Sequence, residues 1–420
     1  MFTLRSSATA TLVRGLHFVG KHVLRRTASA FPGAIGLTLD PDILSYCHRG
    51  KEIIVVTGTN GKTTTTHLLA AMVKARDGYV TTNDEGANLP AGLVTALCRG
   101  QGRLAVLEVD EGYLPKLLHV LKPRFVLITN FAPDQIERFD DGSRLIMLLK
   151  ERMQEAYERY GTQLLLSQKT EPWQALFNEA PYVRRSPVGN IDSVAGWIEL
   201  QGVRYDVPFR RRFELENAEL AIRAALALNI HPSQIESALK TLTPVEGRST
   251  FFAYKGLPLT VTLVKNKSGF DALFQSLNEN DTPDRLLIAL NDAPSDGVLG
   301  SWLWDIDYST LRTTAQNRLI LSGTRAFELA QALLVQGVPR DKIAVEPEPL
   351  VALERLFEGL TPFAGSDALE MGQVQADRVC LGENIHLYVN YTALAQYRKY
   401  LTTLPMSNTR RVPRPVVVNS

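Results

Sequence analysis

The stretch with the plainest chemistry is Gly58-Thr59-Asn60-Gly61-Lys62-Thr63-Thr64, which follows Ile53-Ile54-Val55-Val56-Thr57. The β-branched apolar run predicts a short buried strand, two glycines with Asn60 a tight loop, and Thr63 onward the opening of a helix. Backbone N–H groups at a helix start and a neighbouring lysine both attract polyanionic phosphate. Thr63 stands where the hydroxyl of a phosphate loop meets Mg²⁺. The general phosphate-loop spacing calls for glycine at position 56, where this chain has Val56, so the generic motif fails by one residue. A second constellation ends the apolar run Leu104-Ala105-Val106-Leu107, namely Glu108 and Asp110, with Glu111 just beyond. A carboxylate there, across from Thr63, is suited to complete a Mg²⁺ shell with phosphate oxygens and water. Thr129 and Asn130 close a further apolar run that begins at Phe125.

The elements that position these residues alternate. Strands are expected at Ile53–Val56, Tyr79–Thr82, Leu104–Asp110, Phe125–Asn130 and Leu164–Leu166, and the helix after Thr63 carries Leu68, Leu69, Met72 and Val73 on one face. Apolar strands alternating with helices predict a parallel sheet covered on both sides. A charged amphipathic helix is expected over Asp140–Tyr160, and residues 168–208 are weakly patterned, with scattered short strands such as Trp197–Leu200. A helix from about Glu214 carries Asn217, Ala221, Ala224 and Leu228. Another starts at Pro232, and Pro244-Val245-Glu246-Gly247-Arg248 marks a turn and a domain boundary. Beyond it, strands are expected at Leu259–Lys265, Arg285–Leu290, Arg318–Ser322, Lys342–Val345 and His386–Val389. Helices are expected near Phe270–Leu277, Arg325–Gln336 and Leu350–Phe357. The expected organisation is a basic helical segment (1–46), a nucleotide-binding α/β domain (47–243), a smaller α/β domain (244–404) and a disordered tail (405–420).

A chain of 420 residues is too long for one core, and 45% hydrophobic with 21% charged residues is ordinary for a globular enzyme. A net charge of +2 gives no sign of a nucleic-acid binder. Cys47, Cys98 and Cys380 lie far apart, so neither a disulfide framework nor a four-cysteine zinc site is expected, and a reducing compartment fits. No uncharged apolar run is long enough to span a bilayer. The first 39 residues contain no Asp or Glu but carry Arg5, Arg14, Lys21, Arg25 and Arg26. Such a start resembles a transit peptide; the favoured reading is a helix with Leu12, Leu16, Val19 and Val23 on its apolar face and a basic face toward anionic lipid or a partner. The expected location is the cytoplasm, with contact at the inner face of the plasma membrane left open.

The segment T-G-T-N-G-K-T-T resembles the ATP loop of the Mur ligase superfamily, which includes folylpolyglutamate synthase. Further segments resemble one family within it, the MurT family. They include Asn83–Leu89, Leu107–Gly112, Thr129-Asn130-Phe131 with Asp134-Gln135 and Arg138-Phe139, and Leu263-Val264-Lys265-Asn266 with Gly269-Phe270. Leu290-Asn291-Asp292, Asp296-Gly297, Ser301-Trp302-Leu303-Trp304-Asp305-Ile306-Asp307 and Ser322–Ala326 extend the resemblance to about residues 10–402. It implies a Mur ligase-type ATPase domain followed by a Rossmann-like C-terminal domain. The implied reaction is amidation of the D-glutamate α-carboxylate of the lipid II stem peptide through an acyl phosphate. Ammonia comes from a separate glutaminase subunit, GatD, in a heterodimer. The resemblance also implies ATP held by Gly58 to Thr64, Mg²⁺ held by Thr63 and Glu108, and nucleotide contacts from Asn217 and Arg248. The substrate and ammonia side falls to Lys265 and the Asp296–Asp307 segment.

Two departures stand out. The family's four-cysteine zinc ribbon cannot exist here, since no cysteine lies between Cys98 and Cys380; a bare loop or small sheet over 168–208 and no structural zinc are expected. The family pattern D-G-R-D before S-W reads Asp296-Gly297-Val298-Leu299-Gly300 here, so an aspartate thought to orient the partner's histidine is replaced by Leu299. An isobutyl group cannot do that work, which leaves Asp296 or Asp305 for the role. The alternatives are an ATP-binding subunit that no longer amidates and an amino-acid-adding ligase of Mur or folylpolyglutamate type.

Overall fold

The computed structural model describes residues 4–22, 29–83, 87–131, 142–168, 172–177, 179–193, 195–209, 211–242, 250–277, 282–293, 296, 301–313, 318–360 and 384–403. The chain divides into two compact units, Met1–Leu242 and Thr243–Ser420. Arg248, Leu299, Cys380, the Asp134–Arg138 segment and the tail expected to be disordered lie outside the described residues.

The first unit opens with α1 (Leu4–His22), α2 (Phe31–Leu39) and α3 (Ile43–Cys47). It continues β1 (Glu52–Thr57), α4 (Lys62–Asp77), β2 (Thr81–Thr82), α5 (Pro90–Arg99), β3 (Leu104–Glu108), α6 (Leu114–Leu121), β4 (Phe125–Ile128), α7 (Gly142–Tyr160) and β5 (Gln163–Leu166). These strands form a parallel sheet in the order β2-β3-β1-β4-β5. The apolar run of β1 follows from its central place. Ile54 and Val56 join one core with Leu68, Leu69, Met72 and Val73 of α4, while Ile53 and Val55 join another with residues of α3, α5, α6 and α7. A strand buried on both faces needs no polar alternation. Residues 168–208 hold a 3₁₀ turn (Pro172–Phe177) and a small antiparallel sheet of β6 (Asn190–Asp192), β7 (Trp197–Leu200) and β8 (Val203–Asp206). The small sheet has its own apolar support: Ile198, Leu200 and Tyr205 pack into the core with α8 (Arg212–Ala227) and α9 (Pro232–Lys240).

Two expectations need correction here. In α1 the buried residues are Ser6, Thr9, Ala10, Val13, His17 and Gly20, whereas Leu12 and Val19 are exposed and Leu16 is half-buried. Leu12 and Val19 therefore face away from the core, while Val23 lies outside the described residues; α1 packs closely on α2, where a Cβ at Gly36 would crowd Val13. Second, Cys47 and Cys98, 51 residues apart, are joined in a disulfide with Cα atoms 5.4 Å apart. Packing of α3 on α5 brings together cysteines that sequence distance had seemed to separate.

The second unit comprises β9 (Thr250–Tyr254), β10 (Leu257–Leu263), α10 (Lys267–Leu277), β11 (Arg285–Ala289), α11 (Trp302–Asp305), α12 (Ser309–Thr313), β12 (Arg318–Ser322), α13 (Ala326–Val335), β13 (Ile343–Val345), α14 (Pro349–Leu356), β14 (Ile385–Val389), α15 (Tyr391–Tyr397) and β15 (Thr402–Thr403). Its sheet runs β13-β12-β11-β14-β10-β9-β15, parallel from β13 to β10 and antiparallel at β9 and β15. The β9–β10 hairpin turns through Lys255 and Gly256 at φ 49° and 79°, the positive values that a two-residue turn needs to match strand twist. The fold is α/β throughout, a parallel sheet domain followed by a mixed, parallel-rich one.

Candidate functional site

The phosphate-loop candidate occupies residues 58–61, between the carboxyl end of β1 and the start of α4. Both glycines are required by the backbone. Gly58 sits at φ 126°, where a Cβ would strike Thr129 and the backbone of Asn130; Gly61 sits at φ 84°, where a Cβ would strike the Asn217 amide. The end of β4 shapes the loop from the side. Thr59 N–H donates to Asn130 O at 2.9 Å, Asn60 N–H donates to Asn130 Oδ1 at 3.0 Å, and Asn130 Nδ2 returns a bond to Asn60 O at 3.0 Å. Gly61 forms a left-handed N-cap for α4 with no side-chain capping bond. Gly61 thus offers no side chain to the first-turn donors of this 16-residue helix, a setting that favours an anion.

Lys62 is buried, and its ammonium donates to Gly58 O, to Thr59 O at 3.2 Å and to Glu111 Oε2 at 3.0 Å. The other Glu111 oxygen is buried without a partner among the described residues. Glu108 ends β3 in register with Val56 of β1, two residues before the loop. Its main chain is held by Asn83, with Glu108 N–H donating to Asn83 Oδ1 at 2.8 Å and Asn83 Nδ2 donating to Glu108 O at 2.7 Å. Its side chain accepts from Asn88 Nδ2 at 3.0 Å. Asp110 is buried beside it and accepts from Gly112 N–H at 3.1 Å.

Thr63 is partly exposed at the helix start and Thr64 is buried. The structure therefore brings Gly58 to Thr64, Glu108 and Asn217 to one place, while Arg248 lies outside the described residues. Sequence reasoning did not assign Glu111 as the partner of Lys62 or Asn88 as the holder of Glu108. The polar loop Asn83–Asn88 was the available signal, but its target depends on β3 lying beside β2. No group of three His, Cys, Asp or Glu among the described residues has metal-binding geometry. The donors present fit Mg²⁺, which keeps several waters and takes few protein ligands beside phosphate: the Thr63 hydroxyl and the Glu108 carboxylate.

The second unit has its own polar cluster at the carboxyl ends of β10, β11, β12 and β14. Asn390 Nδ2 donates to Asn291 O at 2.7 Å, and Asn291 Nδ2 donates to Thr392 Oγ1 and Gln396 Oε1, each at 3.1 Å. Asp296 is buried in this network, accepting from Thr392 N–H at 3.0 Å and from the Thr392 hydroxyl. Its carboxylate is thereby committed to the first turn of α15. Asp305, at the end of α11, is exposed and has no hydrogen bond or ion pair to a described residue. Lys265 follows β10, half-buried, and the neighbouring Asn266 accepts from Gly269 N–H at 3.0 Å to start α10. Replacing Asp296 by alanine is expected to destabilise the chain by about 1–3 kcal/mol through the bonds it leaves unmade, read as a lower melting temperature. Asp305→Asn should leave the melting temperature unchanged.

The Mur ligase middle domain model matches residues 56–187 and the MurT ligase C-terminal model matches residues 263–362. The chain is 26% identical over 366 residues to the MurT subunit of lipid II isoglutaminyl synthase (glutamine-hydrolyzing) from Staphylococcus aureus strain COL, covering 73% of this chain and 83% of that one. It is 26% identical over 389 residues to the subunit of the same name from Streptococcus pneumoniae, covering 79% and 87%. Among solved structures, MurF from Thermotoga maritima in complex with ADP is similar with a TM-score of 0.63 at 14% identity, covering 86% of this chain and 82% of that one. Mycobacterium tuberculosis folylpolyglutamate synthase complexed with ADP gives a TM-score of 0.63 at 16% identity, with coverage of 94% and 99%.

Proposed function

Because the chain belongs to the MurT family of Mur ligase-type proteins, we propose that it is the ATP-dependent synthetase subunit of a lipid II isoglutaminyl synthase. It converts the α-carboxylate of D-glutamate in the stem peptide to an amide. The carboxylate first takes the terminal phosphoryl group of ATP, giving an acyl phosphate, and ammonia then displaces phosphate. A GatD-type glutaminase subunit supplies the ammonia. The observation that carries this reading is the occurrence, in one chain, of the built phosphate loop and of a segment over 263–362 matching the MurT C-terminal domain.

The roles of the chain's own residues follow from charge and geometry. Loop and helix N–H groups hold phosphate oxygens, and the Lys62 ammonium exchanges one of its present acceptors for a phosphate oxygen. Thr63 and Glu108 would hold Mg²⁺, which when bound would neutralise phosphate charge. Positioning and charge stabilisation of this kind are the main protein contribution to phosphoryl transfer. Asn217, against Gly61, supports the loop from α8.

The test combines the purified chain, a glutaminase partner, ATP, glutamine and lipid II, with the product read by mass. The reading requires a mass decrease equal to the exchange of a hydroxyl for an amino group. An increase by an amino-acid residue would instead mark an adding ligase. Unchanged substrate alongside bound ATP marks a subunit that no longer amidates, a reading favoured by Leu299 at the place of the family acid. Of the two aspartates available in that segment, Asp305 is the one with a carboxylate open to a partner. Asp305→Asn is expected to lower glutamine-dependent amidation at least about tenfold, in the range typical of lost positioning of an acid–base pair. Amidation supported by added ammonium salt should be unchanged; an equal loss of both activities would remove Asp305 from the ammonia-supplying half.

A further inference from the structure

The polarity of α1 is inverted. Its inward face is made of Ser6, Thr9, Ala10, Val13, His17 and Gly20. Its outward face carries Leu4, Leu12, Phe18 and Val19, exposed at 93%, 43%, 61% and 44%, with Ala8, Thr11 and Gly15 between them. Positions 4, 8, 12, 15 and 19 recur at helical spacing and form one stripe. A helix that packs against a core ordinarily turns such residues inward; here mostly small residues take that side, where α1 packs on α2, α3 and α5. Large apolar residues scattered singly over a surface need no explanation, but an aligned set does.

The charges on the rim have one sign. Arg5 and Arg14 are anchored there by bonds to the main-chain carbonyls of Leu39 and Cys98, the latter at 2.6 Å, and Lys21 and His22 close the helix. No acidic residue occurs before Asp40, and the sequence continues past α1 into Arg25 and Arg26. No helix among the described residues is long and apolar enough to cross a membrane. We propose that the outward face of α1 docks on an anionic lipid bilayer, with α1 lying in the plane of the headgroups. An apolar stripe with a purely basic rim matches that interface: the side chains enter the acyl boundary and the cations pair with lipid phosphates. The proposal stands on α1 alone and does not rest on the ATP chemistry assigned to the loop.

The test is co-sedimentation of the full chain with vesicles of phosphatidylcholine containing phosphatidylglycerol, with no nucleotide, lipid II or partner present. Binding is expected at low salt, weaker at high salt and slight on phosphatidylcholine alone. The variant carrying Leu12→Ser, Phe18→Ser and Val19→Ser should lose at least about tenfold in bound fraction. Because these side chains are exposed, its circular dichroism and melting temperature should match the parent's. Lys21→Glu should weaken binding and flatten the salt dependence. Absence of binding to the anionic vesicles at low salt overturns the proposal, as does parental binding by the triple variant. So does a finding that the stripe instead holds two copies, seen as a dimer that the triple variant dissociates while vesicle binding persists. With no substrate in the assay, its outcome is independent of the amidation experiment.

Discussion

Lys62→Ala is expected to abolish amidation, with a loss on the order of 10³-fold or more if the charged group removed is the one assigned to the transferring phosphoryl. The structure adds a second consequence. Lys62 is the cation beside buried Glu111, so its removal leaves a buried carboxylate without its counter-ion. Breaking a buried pair from one side costs up to about 3–5 kcal/mol, and the single variant should melt at a lower temperature. Pairing it with Glu111→Gln should recover most of that stability and none of the activity. Product mass and thermal melting measured on both variants separate the two effects. Full activity in Lys62→Ala would sink the phosphate-loop assignment.

Glu108→Gln is the second large effect. The substitution keeps the shape and an oxygen to accept from Asn88, so the melting temperature should hold within a degree or so of error. It removes the charge assigned to Mg²⁺, and turnover should fall on the order of 10²-fold. Raising the Mg²⁺ concentration should recover part of the loss by mass action. A variant that loses stability and shows no response to Mg²⁺ would instead mark Glu108 as a structural acid held by Asn83 and Asn88.

The elements around the loop were legible because their signals are local. A β-branched run at Ile53–Val56 favours a strand through its own side chains, and Gly58 and Gly61 mark a loop whose positive φ values suit glycine. The α/β class followed from strands and helices that alternate at short range. What escaped was short or set by pairing. β9 and β15 form the antiparallel edge of the second sheet, and two-residue β15 has no pattern of its own; its existence depends on β9 lying alongside. The short helix α15 starts immediately after β14, where Asp296 from a distant segment satisfies its first turn.

By itself the amino-acid sequence determined the α/β alternation, the place of the glycine loop between β1 and α4 and the absence of cysteine between Cys98 and Cys380. Each of these is a matter of residue type over a few neighbouring positions or of simple count. Only the tertiary structure decided that Glu111 pairs with Lys62, that Asp296 is enclosed while Asp305 is open, and that Cys47 meets Cys98. It also decided which side of α1 is buried. The helical period of Leu12, Leu16 and Val19 predicts a face but not its direction, because direction depends on how closely the neighbouring helix approaches. α1 packs on α2, α3 and α5, with Val13 closely against Gly36 of α2, and this packing encloses Ser6, Ala10, Val13 and Gly20 and leaves the larger side chains outside.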